Sequence, residues 1–238
     1  MSIKNEFPKL LDKIEINYSD DTILKFEKYK SLIQEWNKKI NITAIDSDEE
    51  IYLKHFIDSV IIKKYVIIKE GAKSVDIGTG GGFPGIPLKI LDNSMDITLL
   101  DSLNKRIKFL EEVVKELKLD NVTCIHGRAE EFGQNANFRE KYDYGFSRAV
   151  ASLNVLLEYV MPFIKKGGFF IAFKGSNFNE EIKSSKNSLK LLGGEIIDLK
   201  EYYLPKSDIF RSLIVVKKIK STPKKYPRRP GTPNKKPL

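Results

Sequence analysis

Short β-rich runs alternate with amphipathic helical segments after Gly71, and this alternation constrains the fold more than any other feature. The expected strands are 73–77, 95–101, 122–126, 142–147 and 168–174, and the expected helices are 85–91, 103–118, 152–163 and 178–192. Two further strands, 195–203 and 211–219, follow without a helix between them, so we expect them to be antiparallel neighbours. The pattern predicts an α/β fold with a mostly parallel, seven-stranded sheet that binds its ligand beyond the strands' carboxyl ends.

The first 70 residues have a helical pattern instead. Apolar residues recur at helical spacing from Ser19 to Ile40, and Ser47 with Glu50 forms a capping box before a second apolar helix. We therefore divide the chain into a helical extension (1–70), a sheet domain (71–220) and a C-terminal tail (221–238).

Composition excludes several classes of protein. With 41% hydrophobic residues among 238, the chain can build a real core. No apolar run approaches the roughly 18–20 residues of a membrane span, and the N-terminal residues lack a secretory pattern, so we expect a cytoplasmic protein without membrane contact. Cys124 is the only cysteine and there are two histidines, so we expect neither a disulfide nor a metal site.

The basic excess is concentrated at the C-terminus. Nine Lys and Arg residues and no acids lie in 217–238, which leaves 32 basic against 32 acidic residues in 1–216. The tail also holds five of the ten prolines, which predicts an extended cationic arm without helix or central strand. Two interpretations stay open: a solubilising tail, or an arm that binds a polyanion and offers Tyr226 as a stacking face for a base. The tail residues of the second interpretation are Tyr226, Arg228, Arg229, Lys235 and Lys236.

A glycine-rich turn follows the first strand in KSVDIGTGGGFPG. Gly78, Gly80 and Gly82 allow positive φ angles and a close approach of backbone to ligand. Because Gly80, Gly82 and Gly85 also satisfy the dinucleotide pattern GxGxxG, two hypotheses arise: a nicotinamide or flavin oxidoreductase, and an S-adenosylmethionine methyltransferase.

Acidic residues at two strand ends help to separate these hypotheses. Asp76 disfavours a nearby pyrophosphate, whereas its charge suits a sulfonium cofactor. Asp101 ends the next strand and can accept ribose hydroxyl protons of either cofactor; both acids could instead only cap the helices that follow. After 122–126, Ala129 and Glu130 are small and acidic residues where an adenine ring and its amino group would lie.

Several blocks in matching order make nearly the whole chain resemble the ribosomal RNA small subunit methyltransferase G family, also called glucose-inhibited division protein B. These blocks are WNKKINITAI, HFIDS, DIGTGGGFPG, Lys105-Arg106, GRAE at 127–130, SRA at 147–149, Lys174-Gly175 and YPRRPGTPNKKPL. The resemblance implies a Rossmann-like class I fold and methyl transfer from S-adenosylmethionine to N7 of a guanine in small-subunit ribosomal RNA. It implies cofactor positions at Gly78, Phe83, Ala129, Glu130 and Arg148, with Asp101 where the family more often has Glu.

The implied chemistry sets expectations for the remaining residues. Guanine N7 has no proton to lose, so no general base is needed and no catalytic residue is assigned. Arg148 is expected to clamp a phosphate or the cofactor carboxylate, and Lys174 and Arg128 either contact phosphates or are ordinary solvated charges. His55 and Asp58, three apart on a helix, form either a structural pair or part of a substrate site.

The implied partner is small-subunit ribosomal RNA or the assembling subunit, and we expect the protein to be a monomer. Because the N7 edge lies in the deep groove of A-form RNA, the target guanine should be unpaired. A small-molecule methyltransferase remains an alternative, which the basic tail disfavours, and an oxidoreductase is a second alternative, which Asp76 disfavours.

Overall fold

The β-rich runs form one seven-stranded sheet in the computed structural model, which describes residues 6–238. The strands are β1 Lys73–Ile77, β2 Asp96–Asp101, β3 Val122–His126, β4 Tyr142–Arg148, β5 Ile164–Lys174, β6 Gly194–Tyr203 and β7 Phe210–Lys218. Their order is β3-β2-β1-β4-β5-β7-β6. Strand β7 runs antiparallel to both of its neighbours, and all other pairs are parallel. The expected mostly parallel sheet and its antiparallel final pair are confirmed.

The order of strands reverses between β1 and β4. The chain first moves outward from β1 to β2 and β3, and then returns to place β4 on the other side of β1. Crossovers on the two sides of such a switch point diverge, which leaves a crevice at the carboxyl ends of the strands. The ends of β1 and β4, at Ile77 and Arg148, therefore fix where a ligand site can lie.

Helices cover both faces of the sheet. In chain order they are α1 Glu6–Lys13, α2 Asp20–Asn37, α3 Asp48–Glu50, α4 Asp58–Val60, α5 Ile62–Tyr65, α6 Gly85–Leu91, α7 Asn104–Glu116, α8 Ala129–Phe132, α9 Leu153–Val160, α10 Phe178–Ser184, α11 Lys186–Leu192 and α12 Thr232–Lys235. Between α3 and α4, Ile51–Ile57 form a π-helical segment. None of the helices in 6–238 is long and apolar enough to cross a membrane.

The N-terminal helices pack on one face of the sheet through a cluster of aromatic side chains. The Ser19 hydroxyl accepts from the Thr22 N–H at the start of α2. The Ser47 hydroxyl accepts from the Glu50 N–H at the start of α3, where the sequence predicts a cap. Phe26 and Phe56 are fully buried in this layer, together with residues of β2 and β4. The helical extension thus shares its core with the sheet and fixes the position of His55 and Asp58.

The C-terminal tail folds back onto the other face, so the prediction of an extended arm is wrong. Tyr226 is only 6% exposed and packs in the apolar core cluster on that face, so it is not displayed as a stacking surface for a base. Arg228 forms a two-point ion pair with Glu158, a buried acid of α9. The tail even contains the helical turn α12, which tolerates Pro233 because a proline in the first turn gives up no intrahelical hydrogen bond.

The predicted helix over 178–192 is also divided in the structure. Ser185 separates α10 from α11, and its buried hydroxyl donates to the Glu181 carbonyl oxygen at 2.6 Å. A serine hydroxyl that bonds back to the preceding turn competes with the regular helical pattern, which accounts for the break.

Candidate active site

The glycine-rich turn between β1 and α6 takes left-handed backbone angles at the crevice. Gly78 has φ +69° and Gly80 has φ +60°. A Cβ on Gly78 would lie 2.6 Å from Cγ2 of Val150, so only glycine leaves this space open. The hydroxyl of Tyr29, in the N-terminal layer, donates to the Gly81 carbonyl oxygen and holds the turn from outside.

Asp76 holds the turn from within the sheet. Its Oδ2 accepts from the Thr79 hydroxyl at 2.8 Å and from the Gly85 N–H at 2.9 Å, while its fully buried Oδ1 has no partner among the described residues. Burial raises the pKa of this carboxyl to about 7, against the smaller effect of its two hydrogen bonds. Asp76 is fully buried and lines neither of the two cavities over the turn, so in this structure it supports the crevice by holding the turn.

Asp101, at the end of β2, does face the crevice. Its Oδ2 accepts from the Gly80 N–H at 2.9 Å and from Arg106, and its Oδ1 accepts from the Leu103 N–H at 2.9 Å. The side chain is almost fully buried yet lines the crevice, so a carboxylate is held rigidly where hydroxyl groups of a ligand could donate to it.

Two cavities adjoin at this point and share Gly78, Asp101 and Val150 in their walls. One, of about 340 Å³, extends over the glycine turn to Phe83 and Arg148. The other, of about 210 Å³, is lined by Ala129, Glu130, Arg128 and Asn234, among others. The structure therefore brings most of the predicted cofactor residues to one continuous trough. Asp76 and Gly82 are the two predicted cofactor residues that do not line the trough. A Cβ on Gly82 would instead meet buried side chains of the N-terminal layer and α7.

A third cavity, of about 490 Å³, opens on the far side of Arg148 and Ala149. Charged side chains from four parts of the chain line it, with Phe173 as an apolar wall; the charged residues are Lys54, Asp58, Arg148, Lys174, Glu181 and Arg211. Because Arg148 and Ala149 also line the 340 Å³ cavity, these two residues form the boundary between the trough and the third cavity.

Arg148 is fixed by a buried cluster at this boundary. Its guanidinium donates to the Lys54 carbonyl oxygen at 2.9 Å, to Asp58 at 3.1 Å and to Nδ1 of His55 at 3.1 Å. Asp58 also accepts from Nε of Arg211 at 3.0 Å through both of its oxygens. His55 and Asp58 are thus linked through Arg148. No local sequence pattern pointed to Arg211, which lies 153 positions from Asp58.

His55 is neutral in this cluster. Burial, assisted by the Arg148 charge, lowers the pKa of its imidazole to about 3. Since Nδ1 accepts from Arg148, the proton resides on Nε2, which donates to the Thr43 hydroxyl at 2.8 Å. The ring stacks on Phe83, 4.3 Å between centroids, so the imidazole serves as a rigid wall.

Some of the predicted RNA-contact residues are exposed in the structure, and others are paired or packed. Arg128, Arg229, Lys235 and Lys236 are exposed. Lys174 is paired with Glu181 at 2.6 Å and its side chain is 8% exposed, so it is not a free solvated charge. Tyr226 and Arg228 are held in the packed tail. Lys174, Tyr226 and Arg228 therefore each have a structural partner.

Comparison with known proteins identifies the family. The family model described as rRNA small subunit methyltransferase G matches residues 22–208. The chain belongs to this family. A relative from Alkaliphilus metalliredigens, named ribosomal RNA small subunit methyltransferase G, is 51% identical over 226 residues, which are 95% of each chain.

Solved structures similar to this member of the family share the fold at low sequence identity. A SAM-dependent methyltransferase from Aquifex aeolicus is 17% identical, with a TM-score of 0.54 over 77% of this chain and 97% of its own. TYW2 of M. jannaschii, solved in complex with AdoMet, is 16% identical, with a TM-score of 0.52 over 87% of this chain and 81% of its own. The fold is that of the class I S-adenosylmethionine-dependent methyltransferases, as the sequence predicts.

Proposed function

We propose that this protein transfers a methyl group from S-adenosylmethionine to N7 of a guanine in small-subunit ribosomal RNA. Family membership supports methyl transfer, and the names of the relatives support the RNA substrate. Because its proposed partner is the small ribosomal subunit, the proposal includes a cytoplasmic location.

The trough at the switch point fits the methyl donor. A Cβ would fill the space above Gly78, and Asp101 presents an oriented carboxylate to ribose hydroxyls. Ala129 and Glu130 line the other end, where a purine and its amino group would lie. Bound there, the donor would supply an electrophilic methyl group on a sulfonium centre, and these residues would hold and orient it.

The third cavity is the proposed site of the target base. Its volume of about 490 Å³ suits a nucleotide that leaves its stack, and such extrusion is the usual route to a base edge within folded nucleic acid. Phe173 offers an apolar surface, and the cavity meets the trough at Arg148 and Ala149. A base seated here would lie beside the donor.

The observation that supports guanine N7 as the methyl acceptor is that the titratable groups around this cavity are already paired or hydrogen-bonded. Asp58 is held by Arg148 and Arg211, Glu181 is paired with Lys174, and His55 is neutral with its Nδ1 already accepting. Each group that could take a proton is therefore already engaged. An acceptor such as guanine N7, which attacks with a lone pair and loses no proton, suits this environment, because the site needs to supply only alignment and desolvation.

Arg148 acts in this proposal as a positioning residue. Its three hydrogen bonds fix the boundary between donor and acceptor, and Asp58 partly neutralises its charge. That arrangement suits a product, N7-methylguanine, that is itself cationic, because an unpaired guanidinium next to it would be unfavourable.

The test is methyl transfer from S-adenosylmethionine carrying a tritiated methyl group, with purified small subunits, naked ribosomal RNA and a mixture of nucleosides as acceptors. We expect transfer to RNA or subunits only, and strand cleavage under conditions selective for N7-methylguanine. A Gly78→Asp variant should lose transfer but keep RNA binding. Transfer to another atom, transfer to nucleosides alone, or undiminished turnover by the variant would contradict the proposal.

A further inference from the structure

The packed tail is anchored to the sheet domain by side chains that lie far away in sequence. Arg139 donates to the carbonyl oxygens of Thr222 at 2.7 Å and Tyr226 at 2.8 Å. Glu158 accepts from the Arg228 N–H at 2.8 Å and from its guanidinium. These contacts hold the last residues of the chain at a defined place beside α9.

That place is the edge of the 210 Å³ cavity. The Gly231 N–H donates to Oε1 of Glu130 at 2.9 Å, and Asn234, three residues on, lines the cavity with Ala129, Glu130 and Tyr159. Glu130 is 5% exposed, so the tail fixes one oxygen of an acid that is otherwise enclosed by the sheet domain. The sheet domain and the tail thus both contribute to the wall of this cavity.

We infer that Asn234 completes the adenine site of the methyl donor and reads the edge of the base, so that the tail is part of the cofactor site. This inference rests on the proposed function, because it takes the trough to hold S-adenosylmethionine. A carboxamide presents one donor and one acceptor side by side, which matches the adjacent acceptor and amino donor on the edge of adenine. Glu130, oriented by Gly231, adds an acceptor on the same wall.

A consequence is that cofactor binding and tail packing stabilise each other. Any contact between the donor and Asn234 forms only when the tail is in place, and linkage makes the effect reciprocal. Arg228 contacts Glu158 and does not line the trough, so it acts on the cofactor only as a positioning residue.

The test is calorimetric binding of S-adenosylhomocysteine and of S-inosylhomocysteine, in which an oxo group replaces the 6-amino group, to the full chain. Asn234→Ala should raise the dissociation constant for S-adenosylhomocysteine about tenfold, as expected for one or two hydrogen bonds. It should also reduce the preference of the wild-type chain for adenine over the inosine analogue. Lys224→Ala is the matched control, an exposed residue of the same tail that does not line the trough, and should change neither.

A second readout uses trypsin, which can cut the tail after the exposed Lys225 and Lys235. S-adenosylhomocysteine should slow this cleavage in the wild-type chain and do so less in Asn234→Ala and Arg228→Ala. Equal affinities and equal analogue preference for Asn234→Ala and the wild type would overturn the inference. Failure of the wild type to bind S-adenosylhomocysteine at all would instead overturn the proposed cofactor.

Discussion

Replacement of Gly78 by alanine separates the cost of backbone strain from the cost of filling the trough. Gly78 has φ +69°, where an L-residue costs roughly 1–2 kcal/mol. The new Cβ would also lie 2.6 Å from Cγ2 of Val150. Because Val150 is 40% exposed, it can move away at little cost in stability, but it lines both cavities of the trough and would move within them.

Gly71→Ala provides the matched control. Gly71 has φ +65°, and apart from its two chain neighbours a Cβ there meets no heavy atom of residues 6–238 within 4 Å. Both variants should therefore lose a similar 1–2 kcal/mol, or about 2–8 °C in melting temperature for a chain of this size. Only Gly78→Ala should weaken S-adenosylhomocysteine binding, by about 1–3 kcal/mol, the usual cost of overfilling a packed site, which is about five- to 150-fold in dissociation constant.

The assay is calorimetry of both variants at one temperature, with thermal unfolding of each in the absence of ligand. Equal affinities for the two variants would refute the reasoning, because the trough would then not be where the ligand binds. A much larger loss of stability in Gly78→Ala than in Gly71→Ala would show that Val150 cannot yield as its exposure suggests.

The remaining predictions concern buried charges and the exposed tail. The pKa of Asp76 is raised to about 7, so the folded chain keeps a proton on this carboxyl that the unfolded chain releases above pH 4. The contribution of Asp76 to stability is therefore lost as pH rises toward 7. Relative to Asp76→Asn, the wild type should lose about 2.5 kcal/mol between pH 5 and 7.5 in denaturant unfolding; a constant difference would exclude the raised pKa. The pH dependence of stability from His55 has the opposite sign, because its pKa of about 3 lies below the value in the unfolded chain. Relative to His55→Gln, the wild type should lose about 2 kcal/mol of unfolding free energy as pH falls from 7 to 5. A gain in stability over this range would contradict a neutral imidazole. Replacement of the exposed Arg229, Lys235 and Lys236 by glutamine should leave the melting temperature unchanged and weaken RNA binding. The slope of log binding constant against log salt should fall by at most about 2–3. An unchanged slope would show that the tail is not part of the RNA interface.

Local patterns were sufficient for most of the sheet domain. The bounds predicted for β1, β3 and α6 match the structure residue for residue, because hydrophobic periodicity and the glycine turn act over a few neighbouring residues. The trough residues Gly78, Asp101, Ala129 and Glu130 were also predictable, since parallel strands bring their carboxyl ends to one edge.

Long-range pairing explains what the sequence did not predict. The prolines and cations of the tail favour an extended arm, but Arg139 and Glu158, 70 to 87 positions away, supply the hydrogen bonds that hold it. Asp76 and Asp101 look equivalent as acids at strand ends, yet only Asp101 faces the trough, because the turn after β1 folds over Asp76. Such differences depend on tertiary contacts that no local pattern carries.

The most direct test of the proposed function is mass mapping of small-subunit ribosomal RNA from cells with and without this protein. We predict that one guanine-containing fragment becomes lighter by a single methyl group when the protein is missing, and that the wild-type chain restores it while Gly78→Asp does not. Identical fragment masses in both RNAs would contradict the proposal that this trough serves ribosomal RNA methylation.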